Sequence, residues 1–175
     1  MEYIKVTNEN IDKEHICCAI SNNNDIQVSS KKEWLKEQFR EGLVFLKSVE
    51  RGKCFIEYLP AENAWNPIAA DGYMYIDCLW VAGSFKGHGY GVDLLDACMK
   101  DSKSKGKKGL CILSSEKKKP FLADPKFLQY KGFKVCDEAD NGIQLWYLPF
   151  VADAPLPEFK ECARHPHNEA KGYIL

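Results

Sequence analysis

Residues 84–95 read SFKGHGYGVDLL, and the residue types in that stretch suit anion binding better than covalent chemistry. Gly87, Gly89 and Gly91 alternate with His88 and Tyr90, and Lys86 leads them. An apolar, strand-like run from Tyr73 to Val81 comes before, and a helix-like pattern follows. A loop in that position brings free amide N–H groups and the positive end of a helix dipole to one spot, where a pyrophosphate fits. Glycine permits the torsions such a cradle needs and lets a bulky ligand approach the backbone. A glycine-rich turn with no ligand is the ordinary alternative. Spacing excludes two well-known cradles: no GxxxxGKS/T occurs, and GxGxxG fails because the third glycine comes one residue early. Ser114 and Ser115 also stand where the dinucleotide motif expects an acidic residue.

The elements that must position this loop follow from periodicity. Tyr3 to Thr7 alternates like a strand, and Ile11 to Ile20 reads as a helix. Ser30 with Glu33 has the form of a capping box opening a helix that carries Trp34, Leu35, Gln38 and Phe39, closed by Gly42. Strands are expected over Leu43 to Val49 and Cys54 to Leu59, then a loop, PAENAWNP, placed to face a substrate, then the strand Tyr73 to Val81. Val92, Leu95 and Met99 fall at helical spacing, and Leu110 to Leu113 is a short, wholly apolar strand. Asp124-Pro125 opens a short helix that stops at Gly132, and strands at Phe133 to Cys136 and Ile143 to Leu148 flank an Asp-Asn-Gly turn. Beyond Pro149 the periodicity fades into a proline-rich tail.

The chain has 175 residues, enough for one well-buried domain. Its net charge of -1 argues against broad nucleic-acid binding, and no run is long and apolar enough for a membrane span. Eight cysteines (17, 18, 54, 78, 98, 111, 136 and 162) form no CxxC pair and mostly lie in apolar runs, the usage of a reducing, cytoplasmic compartment. Cys162, His165 and His167 are soft ligands without a second pair, so no metal is expected. The lysines at 105, 107, 108, 117, 118 and 119 read as a solvated face, with attraction of a ligand phosphate as the alternative.

The segment KGHGYG after Leu79-Trp80-Val81 resembles the acetyl-CoA motif of the GNAT N-acetyltransferases, Q/R-x-x-G-x-G/A. FLQYKGF, residues 127–133, is similar to that family's later Y-x-K-x-G-F segment. The resemblance covers residues 1–149, and the later part of the chain suggests the YoaP-like acetyltransferases. It implies an α/β (α+β) GNAT fold: a mixed, twisted sheet of about seven strands, with the fourth and fifth splayed, flanked by about four helices. Residues 150–175 would be a tail or the start of a further small domain. Acetyl-CoA would lie in the splay, its pantetheine against the backbone of Leu79 and Val81. Its pyrophosphate would rest on the amides of Gly87, His88, Gly89, Tyr90 and Gly91. Lys86 departs from the usual Gln or Arg but keeps a positive charge.

Acetyl transfer to an amine needs a base for the amine's proton and a proton for the leaving thiolate. Asp77, on a strand face with Tyr73 and Tyr75, aligns where several family members place an acidic base; the ordinary reading is a hydrogen-bonded strand carboxylate. Glu57 is the second candidate, or orients a cationic substrate. The family's usual acid, a tyrosine four residues before the glycine of the Gly-Phe pair, is Leu128 here. Tyr130 would serve only if its helix ended irregularly, since it lies about 200° round from Leu128. Ser114 and Ser115 would sit near the pantetheine or cap the following segment. Trp65, with Tyr73 and Tyr75, would wall a substrate pocket. Acidic residues at 57, 62 and 77 favour a cationic primary amine on a small molecule or peptide, with the protein a monomer or homodimer. A CoA-binding sensor that has lost catalysis and a protein N-terminal or lysine acetyltransferase are the rivals.

Overall fold

The computed structural model describes residues 1–16, 20 and 22–165. A seven-stranded sheet orders the chain as β1-β2-β3-β5-β6-β8-β7. The strands are β1 (Tyr3–Val6), β2 (Val44–Ser48), β3 (Cys54–Pro60), β5 (Tyr73–Val81), β6 (Gly109–Ser115), β7 (Lys134–Glu138) and β8 (Ile143–Pro149). A second, two-stranded sheet pairs β4 (Ile68–Ala69) with β9 (Glu158–Phe159). The helices are α1 (Ile26–Gln38), α2 (Tyr90–Ser104), α3 (Pro125–Tyr130) and α4 (Glu161–Arg164).

Alternation along each strand sends side chains to two cores. On one face Phe45, Phe55, Tyr73, Tyr75 and Leu145 pack with Val28 and Leu35 of α1. On the other, Ile56, Met74, Ile76, Leu110 and Trp146 pack with Leu94, Leu95 and Cys98 of α2 and Leu128 of α3. Both faces of β5 and β6 are covered at their paired ends, which is why both runs read as almost continuously apolar.

The β5 boundaries match the periodicity, and Asp124 caps α3 by accepting from the Lys126 amide at 3.0 Å. Two N-terminal expectations fail. Residues 7–14 form turns, not the first part of a helix, because the Asn10 side chain accepts from the Thr7 amide at 2.8 Å and competes with the helical pattern. Residues 15, 16 and 20 are not helical either; 17–19, with Cys17 and Cys18, lie outside the described residues. Helix α1 begins earlier than its Ser-x-x-Glu signature suggests: Asp25 accepts from the Gln27 amide at 2.8 Å and is the true cap. Ser30 and Glu33 both fall inside α1, so the signature is helix interior, and the neighbouring Ser29 donates back to the Ile26 carbonyl.

The fourth and fifth strands of the large sheet, β5 and β6, run parallel and pair only from Tyr73↔Gly109 to Ile76↔Ile112. Beyond Ile76 they part. At the point of parting β5 also slips against β3: Glu57 pairs with Cys78 and Tyr58 with Ile76, so Asp77 is an extra, bulged residue.

Residues 150–165 return to the domain. β9 pairs with β4, the Tyr73 hydroxyl donates to the Pro155 carbonyl at 2.7 Å, and the Lys160 amide donates to the Pro67 carbonyl at 2.8 Å. Arg164 meets Asp137 at 2.8 Å. No helix among the described residues is long and apolar enough to cross a membrane.

Candidate active site

The gap between β5 and β6 opens into three adjoining cavities of about 370, 220 and 210 Å³. The largest is lined by Leu79, Val81, Lys86, Lys118 and Phe127 among others, and shares Leu79, Trp80, Leu122 and Ala123 with the second. The second reaches the bulge, with Asp77, Tyr75 and Asn66 in its wall. The third lies against Gly87, Gly89, Tyr90 and Gly91 and shares Lys86 and Phe127 with the largest. Together they trace a groove from the glycine loop to the bulge.

Backbone polarity along β5 follows from one hydrogen bond. The Ala82 amide donates to the Lys53 carbonyl at 2.8 Å, toward β3. Alternation then turns the amides of Val81 and Leu79 the other way, into the gap that β6 has left. At the groove's far end Gly87 and Gly89 adopt φ of 82° and 80°, torsions that favour glycine, and a Cβ at either would stand in open space. Gly89 caps the fifteen-residue α2, whose first-turn amides at Tyr90 and Gly91 precede any acceptor in the helix. Gly91 sits close enough to Val81 and Phe127 that its Cβ would lie 3.8 Å from each.

At the other end Asp77 is an exposed residue of β5 that lines the second cavity. Burial raises its carboxyl pKa above the ordinary aspartate value, and the positive charge of Lys31 only partly opposes this. Lys31 bonds the fully buried Glu57 at 2.9 Å. Tyr75 is held well above the usual phenol range by burial first and by Asp77 second. Its hydroxyl accepts from the Asn66 side-chain amide at 2.8 Å.

A loop of residues 116–124 closes the groove from the β6 side. Ser114 donates to the Ala123 carbonyl and Ser115 to the Lys117 carbonyl, each at 2.7 Å. Lys118 meets Asp124 at 2.9 Å and, with the α3 amides, holds that carboxyl below its ordinary pKa.

Residues 9–120 match the family described as "Acetyltransferase (GNAT) family". The chain belongs to the GNAT acetyltransferase family. A curated protein of Bacillus subtilis (strain 168), "Uncharacterized N-acetyltransferase YoaP", is 44% identical over 176 residues, covering all of this chain and 70% of that protein. The likeness to solved structures is one of fold. The ribosomal-protein-alanine N-acetyltransferase of Brucella melitensis superposes with a TM-score of 0.59 at 14% identity, over 85% of this chain and 99% of that one. The PaiA N-acetyltransferase of Thermoplasma acidophilum, solved with coenzyme A, gives 0.57 at 14% identity, over 86% and 100%. The yncA protein of Salmonella typhimurium, solved with acetyl-CoA, gives 0.56 at 16%, over 78% and 82%.

Within this GNAT chain Leu79, Val81, Lys86, Gly87, Gly89, Tyr90 and Gly91 line the groove, and Asp77 and Tyr75 its opposite end. His88 is exposed and stacks on Tyr90 with ring centroids 5.5 Å apart. Several candidates stand elsewhere. Tyr73 is fully buried at the paired end of β5, its hydroxyl spent on Pro155. Trp65 and Tyr130 are 77% and 79% exposed and line none of the three cavities. Helix α3 ends regularly, with the Phe133 amide on the Leu128 carbonyl and the Gly132 amide on that of Gln129, so Tyr130 is not turned inward. Leu128 itself is fully buried. The hydroxyls of Ser114 and Ser115 anchor the 116–124 loop, which is the capping alternative.

Of the acidic residues that favoured a cationic substrate, Glu57 is paired with Lys31 and Glu62 with Lys107 at 3.0 Å, leaving Asp77 as the one that faces the groove. The cluster at Lys105, Lys107 and Lys108 lies toward the paired start of β6, where the Lys108 amide bonds Gly72. Lys118 alone of the predicted lysine runs lines the groove. His167 is outside the described residues, and no cluster of metal-ligating side chains occurs among those described.

The residues that spacing missed are Asn66, Phe121, Leu122, Ala123 and Phe127. Asn66 stands beside Trp65 in the loop expected to face substrate; an apolar Phe-Leu-Ala in a lysine-rich loop was the signal for Phe121, Leu122 and Ala123, and Phe127 lies on α3 in the FLQYKGF segment.

Proposed function

We propose that this protein transfers an acetyl group from acetyl-CoA to a primary amine. The observation that carries this is the parting of β5 and β6, which joins an amide-rich loop at the α2 N-terminus to a carboxylate about one strand-half away through a single groove. The groove fits the co-substrate on three counts. The glycine loop is bare where a pyrophosphate needs backbone amides, Lys86 adds positive charge, and Leu79 and Val81 offer free amides to a pantetheine. When bound, acetyl-CoA supplies an activated acyl thioester.

Asp77 is placed to take the proton of an incoming ammonium, and its raised pKa makes it a better base than an ordinary aspartate. In the balance of the reaction the ammonium gives one proton to Asp77, a C–N bond forms and the thioester C–S bond breaks; nitrogen then gives its second proton to water while the departing thiolate takes one from water, so that an amide, a thiol and a protonated Asp77 result. Leu128 supplies no acid, and Tyr130 faces solvent, so water is the simplest donor. The same two residues favour a second reading, a CoA-binding module without turnover. A non-acetylating protein that still binds CoA would establish that reading.

The test of the cofactor seat is Gly89→Glu. A left-handed glutamate strains the loop and sets a negative charge in the anion site, so calorimetric affinity for acetyl-CoA should fall by about a hundredfold or more. Affinity equal to that of the unaltered protein would remove the glycine loop from the reading.

A further inference from the structure

We propose that the acceptor is a primary amine with one positive charge on an uncharged, apolar arm, and that Phe121 reads that arm. This deepens the proposed acetyl transfer and rests on it.

The second cavity, about 220 Å³, has one charged residue in its wall, Asp77. Glu57 stands behind it already matched by Lys31, and Glu62 is matched by Lys107 and the Gly72 amide. A single ammonium therefore finds a single counter-charge. A second ammonium on the same molecule would enter the cavity without one, at the desolvation cost of an unpaired cation. A carboxylate beside the amine would face Asp77 itself, where like charges repel.

The remaining wall is divided: Asn66, the Tyr75 hydroxyl and the unpartnered indole N–H of Trp80 make its polar part, and Ile112, Leu113, Phe121 and Leu122 its apolar part. Asn66 gives its N–H to the Tyr75 oxygen, which leaves the tyrosine proton for a neutral acceptor atom on the arm or for Asp77. Phe121 is the unusual member. It is 80% exposed although it lines the cavity, and it is the one non-glycine residue at positive φ (65°) among those described. A bulky residue in that region is held there by its surroundings against its own preference. The 116–124 loop supplies that hold through Ser114 and Ser115. An exposed ring beside the apolar part of the wall, Ile112, Leu113 and Leu122, gains burial only when an apolar group enters beneath it.

Specificity is a ratio of kcat/KM values, so the test compares amines on the intact chain with product followed by mass spectrometry. Phenethylamine offers one ammonium on an apolar arm; phenylalanine adds a carboxylate beside the amine; spermidine adds further ammonium groups. The kcat/KM for phenethylamine should exceed that for each of the other two by about tenfold or more. A polyamine or amino acid that matches phenethylamine overturns the inference. Calorimetry with acetyl-CoA separates the two levels: no binding sinks the acetyl-transfer reading, binding with acetylation of phenylalanine or spermidine but not of phenethylamine sinks the acceptor class alone, and binding with none of the three acetylated overturns the acceptor class in favour of the module without turnover. For Phe121 the readout is the preference for phenethylamine over ethylamine, which lacks the ring. Phe121→Ala should shrink that preference by about fivefold, with Phe121→Leu between the two. A merely structural loss would lower both amines together and leave the ratio intact, and an unchanged ratio removes Phe121 from the role.

Discussion

Asp77 is a carboxyl group kept where its neutral form is comparatively favoured, by burial against the partial opposition of Lys31. The function and the stability of the protein therefore pull in opposite directions at this residue. A base must be ionised, so kcat/KM should fall as pH drops through the raised Asp77 pKa, a limb displaced upward from that of an ordinary aspartate. Asp77→Asn should cut kcat by about 10²- to 10⁴-fold and erase that limb, while leaving acetyl-CoA affinity intact. For stability the sign is the reverse of a salt-bridged aspartate. The folded carboxyl holds its proton to higher pH than the unfolded one, so its contribution is full at acid pH and lost as pH rises through the folded value. An asparagine cannot ionise. Urea denaturation should accordingly find Asp77→Asn more stable than the unaltered protein near neutrality, with the gap closing in acid. A variant less stable at every pH would mean that Asp77 is held by bonds in the folded state rather than merely desolvated.

Among the elements, the parallel β5–β6 ladder sets where the cleft begins. It starts at Tyr73↔Gly109, and Gly109 has no room for a side chain: a Cβ there would stand 2.5 Å from the Tyr73 ring and 2.6 Å from the Leu148 carbonyl oxygen. The ring cannot yield, since Tyr73 is fully buried and tied through its hydroxyl to Pro155. Gly109→Ala should cost about 1–3 kcal/mol by chemical denaturation. Most of this ladder was legible in advance, because β5, β6 and β8 are apolar runs bounded by glycine, proline and polar turns. Tyr73 and Tyr75 share a face as alternation requires, but their use differs. Tyr73 opens the ladder and Tyr75 stands one pair before its end, in the wall of the second cavity, a distinction no local pattern carries. The N-terminal segment misled for a different reason. Ile11 and Ile16 are both buried, yet their five-residue spacing belongs to a chain that turns twice rather than to a helix face. The cofactor loop was the most readable part, since glycine at positive φ is a demand of the backbone alone. The acceptor end was the least readable, because Asn66, Asp77 and Phe121 come from three separate segments that meet only on folding.

For the molecule as a whole, the residues after Pro149 are structurally joined to the acceptor side of the cleft. Lys160 and Pro67 are hydrogen-bonded one residue from Asn66, and β9 braces β4. Arg164 ties that return to β7: it bonds Asp137 at 2.8 Å, and the same carboxylate oxygen accepts from the Phe159 amide at 2.8 Å. Arg164→Ala should lower stability by about 1–3 kcal/mol and raise KM for the amine, with calorimetric affinity for acetyl-CoA unaltered. A matching loss of acetyl-CoA affinity would show that the brace supports the entire groove.

The bulge in β5 has a consequence in parity. Tyr73 and Tyr75 point to one core and Met74 and Ile76 to the other; after the bulge Cys78 and Trp80 join the first set, and Leu79 and Val81 the second. Odd residues change places with even ones at position 77, and only there. Excision of that one residue would restore an unbroken alternation, with every other side chain of the strand on the face it already occupies. Asp77 is therefore a surplus unit in the count of the strand. The residue proposed to move the proton is also the one whose insertion puts the strand out of step with its neighbour, so a chain that lost it would lose the base and the irregularity in a single event.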